Sequence, residues 1–274
     1  MKDRKQPPSP PGHTPKDSHY ARLRRQHREA NPVEEAEDGS LALYGIHTVR
    51  AAIANPRRRI LGLTVTRNAL ARLEIGEADA LPFPVEIVEP VRIDRMLDAD
   101  AVHQGVLVKT MPLQPKPLSA LRDSPLLIVL DQVTDPHNVG AIMRSAVAFG
   151  AGALITTARH SPAESGVLAK AASGALEHID HIAVRNLADA LGELAELGFQ
   201  TIGLDSDGPA VLEETFTGER LALVLGAEGK GLLQKTRETV SALARLDMPG
   251  AIRSLNVSNA AAVSLYAARR HLKG

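Results

Sequence analysis

The chain has 274 residues, 44% of them hydrophobic but only 3% aromatic, and carries neither Cys nor Trp. That length exceeds a typical single domain, and the lack of Cys excludes disulfides, thiolate metal sites and a Cys nucleophile. The 32 Lys and Arg balance 32 Asp and Glu, which excludes a uniformly basic nucleic-acid-binding surface.

Charge is nevertheless uneven. Residues 1–30 hold eight Lys or Arg against three acids, and residues 31–39 hold the acids Glu34, Glu35, Glu37 and Asp38 and no base. The segment 1–39 is rich in Pro and charge without apolar periodicity, so it is expected to be a disordered tail, basic then acidic. Arg22, Arg24, Arg25 and Arg28 are either an RNA-touching arm or simply solvated. No run approaches the eighteen or more apolar residues of a membrane span and the N-terminus lacks the apolar core of a secretion signal, so a cytoplasmic protein with no membrane association is expected.

From Leu41 short alternating units follow: a helix near 45–54, a strand at Ile60–Thr66, a helix near 68–73 and strands at Val85–Val88 and Val106–Val108. Residues 40–110 therefore predict a small α/β domain. Residues 111–122 carry Pro112, Pro115 and Pro117, with Pro125 just beyond. Proline removes backbone donors and restricts its predecessors, so this stretch reads as a linker.

Residues 123–274 contain six apolar runs: Leu126–Leu130, Ala153–Thr157, His181–Val184, Phe199–Leu204, Leu221–Leu225 and Leu243–Leu246. Helical patterns at Val139–Phe149, Ala188–Leu197 and Ser258–Leu272 separate or follow them. Apolar strands alternating with helices predict a parallel sheet covered on both faces.

Three loops after apolar runs carry the candidate chemistry, where open parallel sheets place their sites. The first, Asp131 to Gly140, contains Asn138 and leads into a helix bearing Arg144. Asn138 is a possible helix cap, and Arg144 interrupts an apolar helix where a solvated face or an ion pair is the alternative. The second is Gly226-Ala227-Glu228-Gly229-Lys230-Gly231. Its glycine spacing and the Gly after Lys230 fail the phosphate-loop pattern, and no dinucleotide-binding glycine pattern follows the first strand. The third, Met248 to Asn259, holds Ser254, Leu255 and Asn256, and its Ser and Asn could equally cap the last helix.

In this order and spacing the three loops resemble the three motifs of the SpoU/TrmH family of the SPOUT superfamily, over roughly residues 123–274. Tyr44-Gly45-Ile46-His47 and His103-Gln104-Gly105 resemble the small N-terminal substrate-binding domain of its rRNA guanosine-2′-O branch. The resemblance implies an α/β fold whose C-terminal parallel-sheet domain carries a trefoil knot, although knots are otherwise essentially absent from proteins. It also implies a homodimer, S-adenosylmethionine as cofactor, no metal, and 2′-O-ribose methylation of RNA, with large-subunit ribosomal RNA or an assembling subunit as partner. By position, the catalytic residues fall on Asn138, Arg144, Glu228, Ser254 and Asn256, and the cofactor contacts on Gly226, Leu246 and Leu255. Transfer RNA is the alternative substrate, and a noncatalytic ribosome assembly factor the alternative role. Arg144 is either the base or, because a guanidinium stays protonated, a phosphate clamp partnered by Glu228.

Overall fold

The computed structural model describes residues 39–121 and 123–273; the expectations for residues 1–38 lie outside the described residues. Two sheets organise the chain. The first has the order β1-β4-β2-β3, from β1 (Leu41–Tyr44), β2 (Ile60–Val65), β3 (Val85–Ile87) and β4 (Val106–Thr110). β4 runs antiparallel to both neighbours, whereas β2 and β3 are parallel. Helices α1 (Ile46–Ala54), α2 (Arg67–Leu73) and α3 (Pro90–Asp94) join these strands. The four-residue β1 and the single turn of α3 had no legible signal, being too short to show a period.

The second sheet has seven strands: β5 (Leu126–Asp131), β6 (Ala153–Thr157), β7 (Asp180–Val184), β8 (Gln200–Leu204), β9 (Ala210–Val211), β10 (Leu221–Gly226) and β11 (Ala242–Arg245). Their order is β7-β6-β5-β10-β8-β11-β9 and every pairing is parallel. All six predicted runs are strands, and the added β9 is a two-residue edge that only pairing with β11 defines. Both faces are covered, as near-continuous apolar strands require. Leu126, Ile128 and Leu130 of β5 enter the larger core cluster, while the alternate Leu127 and Val129 enter the second.

The larger core lies under α4 (Pro136–Ala148), α5 (Gly166–Ala172) and α9 (Val257–Lys273); the opposite face is covered by α6 (Leu187–Glu196) and by Leu118 and Leu121. The short helices α7 (Leu212–Thr215) and α8 (Gln234–Thr239) complete the fold. The larger core is continuous between the two sheets, running from Leu43 and Val49 to Leu265. Contacts also fasten the proline-rich stretch. Met111 N–H donates to Arg59 O (3.0 Å), Leu113 N–H donates to Glu164 (3.0 Å), and Lys116 pairs with Asp180 (2.8 Å). It is a strap laid on the second sheet rather than a free tether.

Helix α5 was not legible in the sequence, yet it sits at the centre. A Cβ on Gly140 of α4 would lie 2.5 Å from Ala171 Cβ and 2.7 Å from Ala172 N, so α4 and α5 meet almost backbone to backbone. Gly192 in α6 faces open space. Gly140→Val is expected to destabilise the protein by about 1–3 kcal/mol through overpacking, and Gly192→Ala to stabilise it by about 0.4–1 kcal/mol. Thermal melts of the two variants check this contrast.

His181 Nε2 lies 3.1 Å from Thr156 Oγ1, and burial lowers its pKa from 6.5 to about 4. The unfolded chain therefore binds the extra proton between those values. Stability should be complete above pH 6.5 and fall as the pH drops toward 4, by at most about 3 kcal/mol. Urea titrations of the wild type and His181→Gln at pH 7 and pH 4.5 measure the difference, which the variant should lack.

Candidate functional site

The strands end at one edge of the second sheet in a cavity of about 630 Å³. Leu204 closes β8, Leu225 and Gly226 close β10, Leu246 follows β11, and the loop Arg253–Asn256 leads into α9; all line it. Six of the eight candidate residues thus line one cavity: Gly226, Glu228, Leu246, Ser254, Leu255 and Asn256. Asn138 and Arg144 do not line it.

Each loop has a local cause. The turn after β10 closes on itself through Gly231 N–H donating to Ala227 O (2.8 Å), with Gly229 at φ 79° and Gly231 at φ 66°. Both lie in the left-handed region that glycine adopts without a steric cost. Gly226 serves close approach instead. A Cβ there would fall 2.1 Å from Gly231 C and 2.3 Å from Leu232 N. A side chain at 226 would thus meet the chain's own backbone before any ligand, and it breaks the turn itself. Buried Asp131 supports the same turn by accepting from Leu233 N–H at 2.8 Å.

In the other loops the structure shows which residues cap a helix and which bond across to another loop. Asp135, not Asn138, caps α4, accepting from His137 N–H at 3.0 Å. Asn138 lies inside the helix and its Oδ1 accepts from Asn256 Nδ2 at 3.1 Å. Asn256 does both jobs: its Oδ1 accepts from Ser258 N–H (2.9 Å) and Ser258 Oγ (2.6 Å) at the start of α9. The first and third loops, 118 residues apart in sequence, are joined by this amide pair.

Arg144 is exposed on α4, Glu228 and Ser254 are exposed at the cavity, and Arg144 and Glu228 form no ion pair with each other. The charged pairing read from sequence is therefore not made within one chain. Sequence reading also missed a fourth loop. Asp205 and Ser206, directly after β8, line the cavity. Asp205 pairs with Arg237 of α8 and accepts from Asp207 N–H at 2.9 Å. The legible signal was a carboxylate at the exit of an apolar strand, the position the other three loops share.

Chemically, the cavity combines apolar walls (Leu204, Leu225, Leu246, Leu255), neutral hydrogen-bonding groups (Ser206, Ser254, Asn256), two carboxylates (Asp205, already paired with Arg237, and Glu228) and one cation, Arg253. Its volume lies within the range of small-molecule sites, about 300–1,000 Å³. That lining suits a ligand with an apolar part, hydroxyls and charged groups of both signs.

Residues 125–266 match the SpoU rRNA Methylase family. The chain belongs to the SpoU rRNA methylase family. Residues 42–116 match the segment described as RNA 2′-O ribose methyltransferase substrate binding. The chain is 35% identical over 237 residues to a 23S rRNA (guanosine-2′-O-)-methyltransferase, RlmB, of Pseudomonas putida, covering 83% of this chain and 95% of the relative. The RlmB of Pseudomonas syringae pv. tomato is 37% identical over 238 residues, 83% of this chain and 94% of the relative. Among solved structures, the SpoU methyltransferase AviRb of Streptomyces viridochromogenes, in complex with AdoMet, superposes with a TM-score of 0.73. That match covers 90% of this chain and 97% of AviRb at 20% identity, which speaks to the fold.

Replacing Asn256 separates its two jobs. Asn256→Asp keeps the capping oxygen and loses the donor to Asn138, so its melting temperature should stay close to wild type. Asn256→Ala also loses the cap and should be about 1 kcal/mol less stable. Calorimetric melts of both proteins provide the check.

Proposed function

We propose that this chain transfers a methyl group from S-adenosylmethionine to the 2′-hydroxyl of a guanosine in large-subunit ribosomal RNA, in the cytoplasm, as a homodimer. The observation that carries the reading is the convergence of three strand-end loops, those after β8, β10 and β11, on one cavity, with Asn138 of the loop after β5 tied to it through Asn256. Family membership and the RlmB relatives support the reaction and the RNA, and the match over residues 42–116 supports an RNA-binding role for the first domain. We take residues 40–110 as that domain and 123–274 as the methyltransferase domain, with 111–122 between them. The interleaved order of β8 to β11 supports the trefoil knot that the family fold implies. Exposed Val263 and Tyr266, the latter edge-on to Phe149 at 5.9 Å, give α9 and the end of α4 an apolar strip that supports the dimer.

The cavity fits the cofactor. Leu246 and Leu255 would flank its adenosine, the backbone at Gly226 would lie against it, and Glu228 and Asp205 would face its positive charge. When bound, the sulfonium supplies an electrophilic methyl group. The protein's own task is to hold a poor nucleophile in line and share its proton as the oxygen attacks. Asn138, Asn256 and Ser254 are neutral groups able to orient the ribose without placing another cation beside the sulfonium. Arg144, exposed and without an ion pair among the described residues, is free to clamp the phosphate next to the target ribose, its planar fork matching two phosphate oxygens. Glu228 would then meet Arg144 only when RNA brings their charges together.

Methyl transfer to 23S rRNA, with the modified nucleotide mapped on the RNA, tests the activity. In single-turnover reactions at saturating RNA and cofactor, Arg144→Ala and Glu228→Gln should each lose at least about tenfold, and Arg144→Lys should retain part of the rate. Leu255→Lys, at a side chain already 43% exposed, should weaken cofactor binding by calorimetry at least about tenfold by adding a cation to the site. Wild-type rates in both folded Arg144→Ala and Glu228→Gln dimers would remove those residues from the mechanism.

A further inference from the structure

Away from the cavity, a buried charged cluster lies on the seam between the two sheets. Arg58, in the turn between α1 and β2, has a side chain with no solvent exposure. Its Nη2 and Nε donate to the two carboxylate oxygens of Glu177, at 2.6 and 3.2 Å. Its Nη1 donates to Glu164 and to Met111 O (3.1 Å). The carboxylates have further donors: Asn55 Nδ2 to Glu177 at 2.7 Å and Leu113 N–H to Glu164 at 3.0 Å. One buried cation thus faces two acids, and neutral donors satisfy part of the excess negative charge. Burial alone would lower the Arg58 pKa, but the hydrogen bonds and charges of Glu177 and Glu164 hold it above its usual range.

The two acids bracket α5. Glu164 precedes it and Glu177 follows it, so Arg58 holds the 164–177 segment at both ends. The first domain presses on the same segment elsewhere. Thr48 Oγ1 donates to Ala169 O at 3.1 Å, Lys170 Nζ donates to Gln104 Oε1 at 2.8 Å, and a Cβ on Gly166 would lie 2.4 Å from Ala42 O. Gln104 Oε1 also accepts from Ile46 N–H at 3.2 Å, which joins the His103-Gln104-Gly105 and Tyr44-Gly45-Ile46-His47 motifs at this seam. On its opposite side α5 packs on Gly140 of α4, the helix that carries Asn138 and Arg144.

We propose that Arg58 is a positioning residue for methyl transfer, clasping both ends of the α5 segment so that the first domain is fixed in one orientation against the helix bearing Asn138 and Arg144. This rests on the reading of residues 40–110 as the RNA-binding domain. RNA held there reaches the cavity at one distance and angle, and misplacement by about 1 Å suffices to cost on the order of a hundredfold in rate. A bidentate guanidinium suits the task because its fork fixes direction as well as distance, and a Lys at 58 would keep only the charge.

The absence of Cys from the chain allows paired spin labels without background. Glu86→Cys on β3 and Glu193→Cys on α6 are exposed and lie outside the site, and electron–electron double resonance between them reads the orientation of the domains. The wild type should give one narrow distance distribution, and Arg58→Met and Arg58→Lys broadened ones. In single-turnover reactions Arg58→Met should slow methyl transfer at saturating RNA by at least about tenfold, with the dissociation constants for RNA and S-adenosylmethionine within about twofold of wild type. Should Arg58→Met not fold, Glu164→Gln removes the charge from one arm of the clasp and one of its two acceptor oxygens, and should move both readouts in the same direction by less. A broad wild-type distribution, or a narrow one with an unchanged rate in a folded Arg58 or Glu164 variant, overturns the proposal. Failure of the wild type to methylate RNA would defeat the functional reading instead, and the distance distributions would still decide whether Arg58 fixes the domains.

Discussion

The two halves of the molecule meet on α5, and the close backbone contact that three glycines allow there is the constraint from which the rest follows. Gly140 on α4 and Gly166 at the start of α5 leave no room for a Cβ, and Gly174, at φ 93°, is pressed between His47 and Ala51 of α1. Close backbone packing of this kind resists sliding, because any displacement meets hard atoms rather than flexible side chains. The charged contacts at the edge of the seam add direction to that packing. Buried ions are a poor source of net stability but a demanding geometric filter, since a half-made network leaves charge without a partner.

The cavity is built by a different economy of contacts. Its floor is the end of a parallel sheet whose strands are apolar on both faces, and its walls are loops held by few bonds each. The turn after β10 depends on glycines for two separate reasons, left-handed backbone at Gly229 and Gly231 and direct backbone contact at Gly226. Asp131 reaches across from β5 to hold the same turn, and the amide pair of Asn138 and Asn256 ties α4 to the start of α9. The charged groups Arg144 and Glu228 are left exposed at the rim of this arrangement, with no ion pair between them.

Much of this could be read from residues alone. The six apolar runs of the second sheet are strands because only extended, doubly covered backbone buries such sequences, and the glycine turn and the third loop fall at strand ends where the cavity lies. What could not be read were elements defined by a partner: β1 by β4, β9 by β11 and α5 by α4, each too short to show a period of its own. Asp205 escaped notice for a related reason, since a single carboxylate after a strand acquires meaning only when the neighbouring strand ends are known to converge.

The sequence by itself determined the α/β class, the parallel sheet, the positions of three candidate loops at strand ends and, through their order and spacing, the family. Those properties rest on local periodicity and on motifs a few residues long. Tertiary structure alone decided that Asp135 rather than Asn138 caps α4, that Asn138 bonds to Asn256, that Gly226 is reserved for the chain's own backbone, and that the proline-rich stretch is fastened at Glu164 and Asp180. It also decided the burial of Arg58 between Glu164 and Glu177. The physical reason is distance along the chain: Arg58 and its two acids are 106 and 119 residues apart and the two asparagines 118, so no local pattern can encode which of many Arg, Glu and Asn residues the fold brings together.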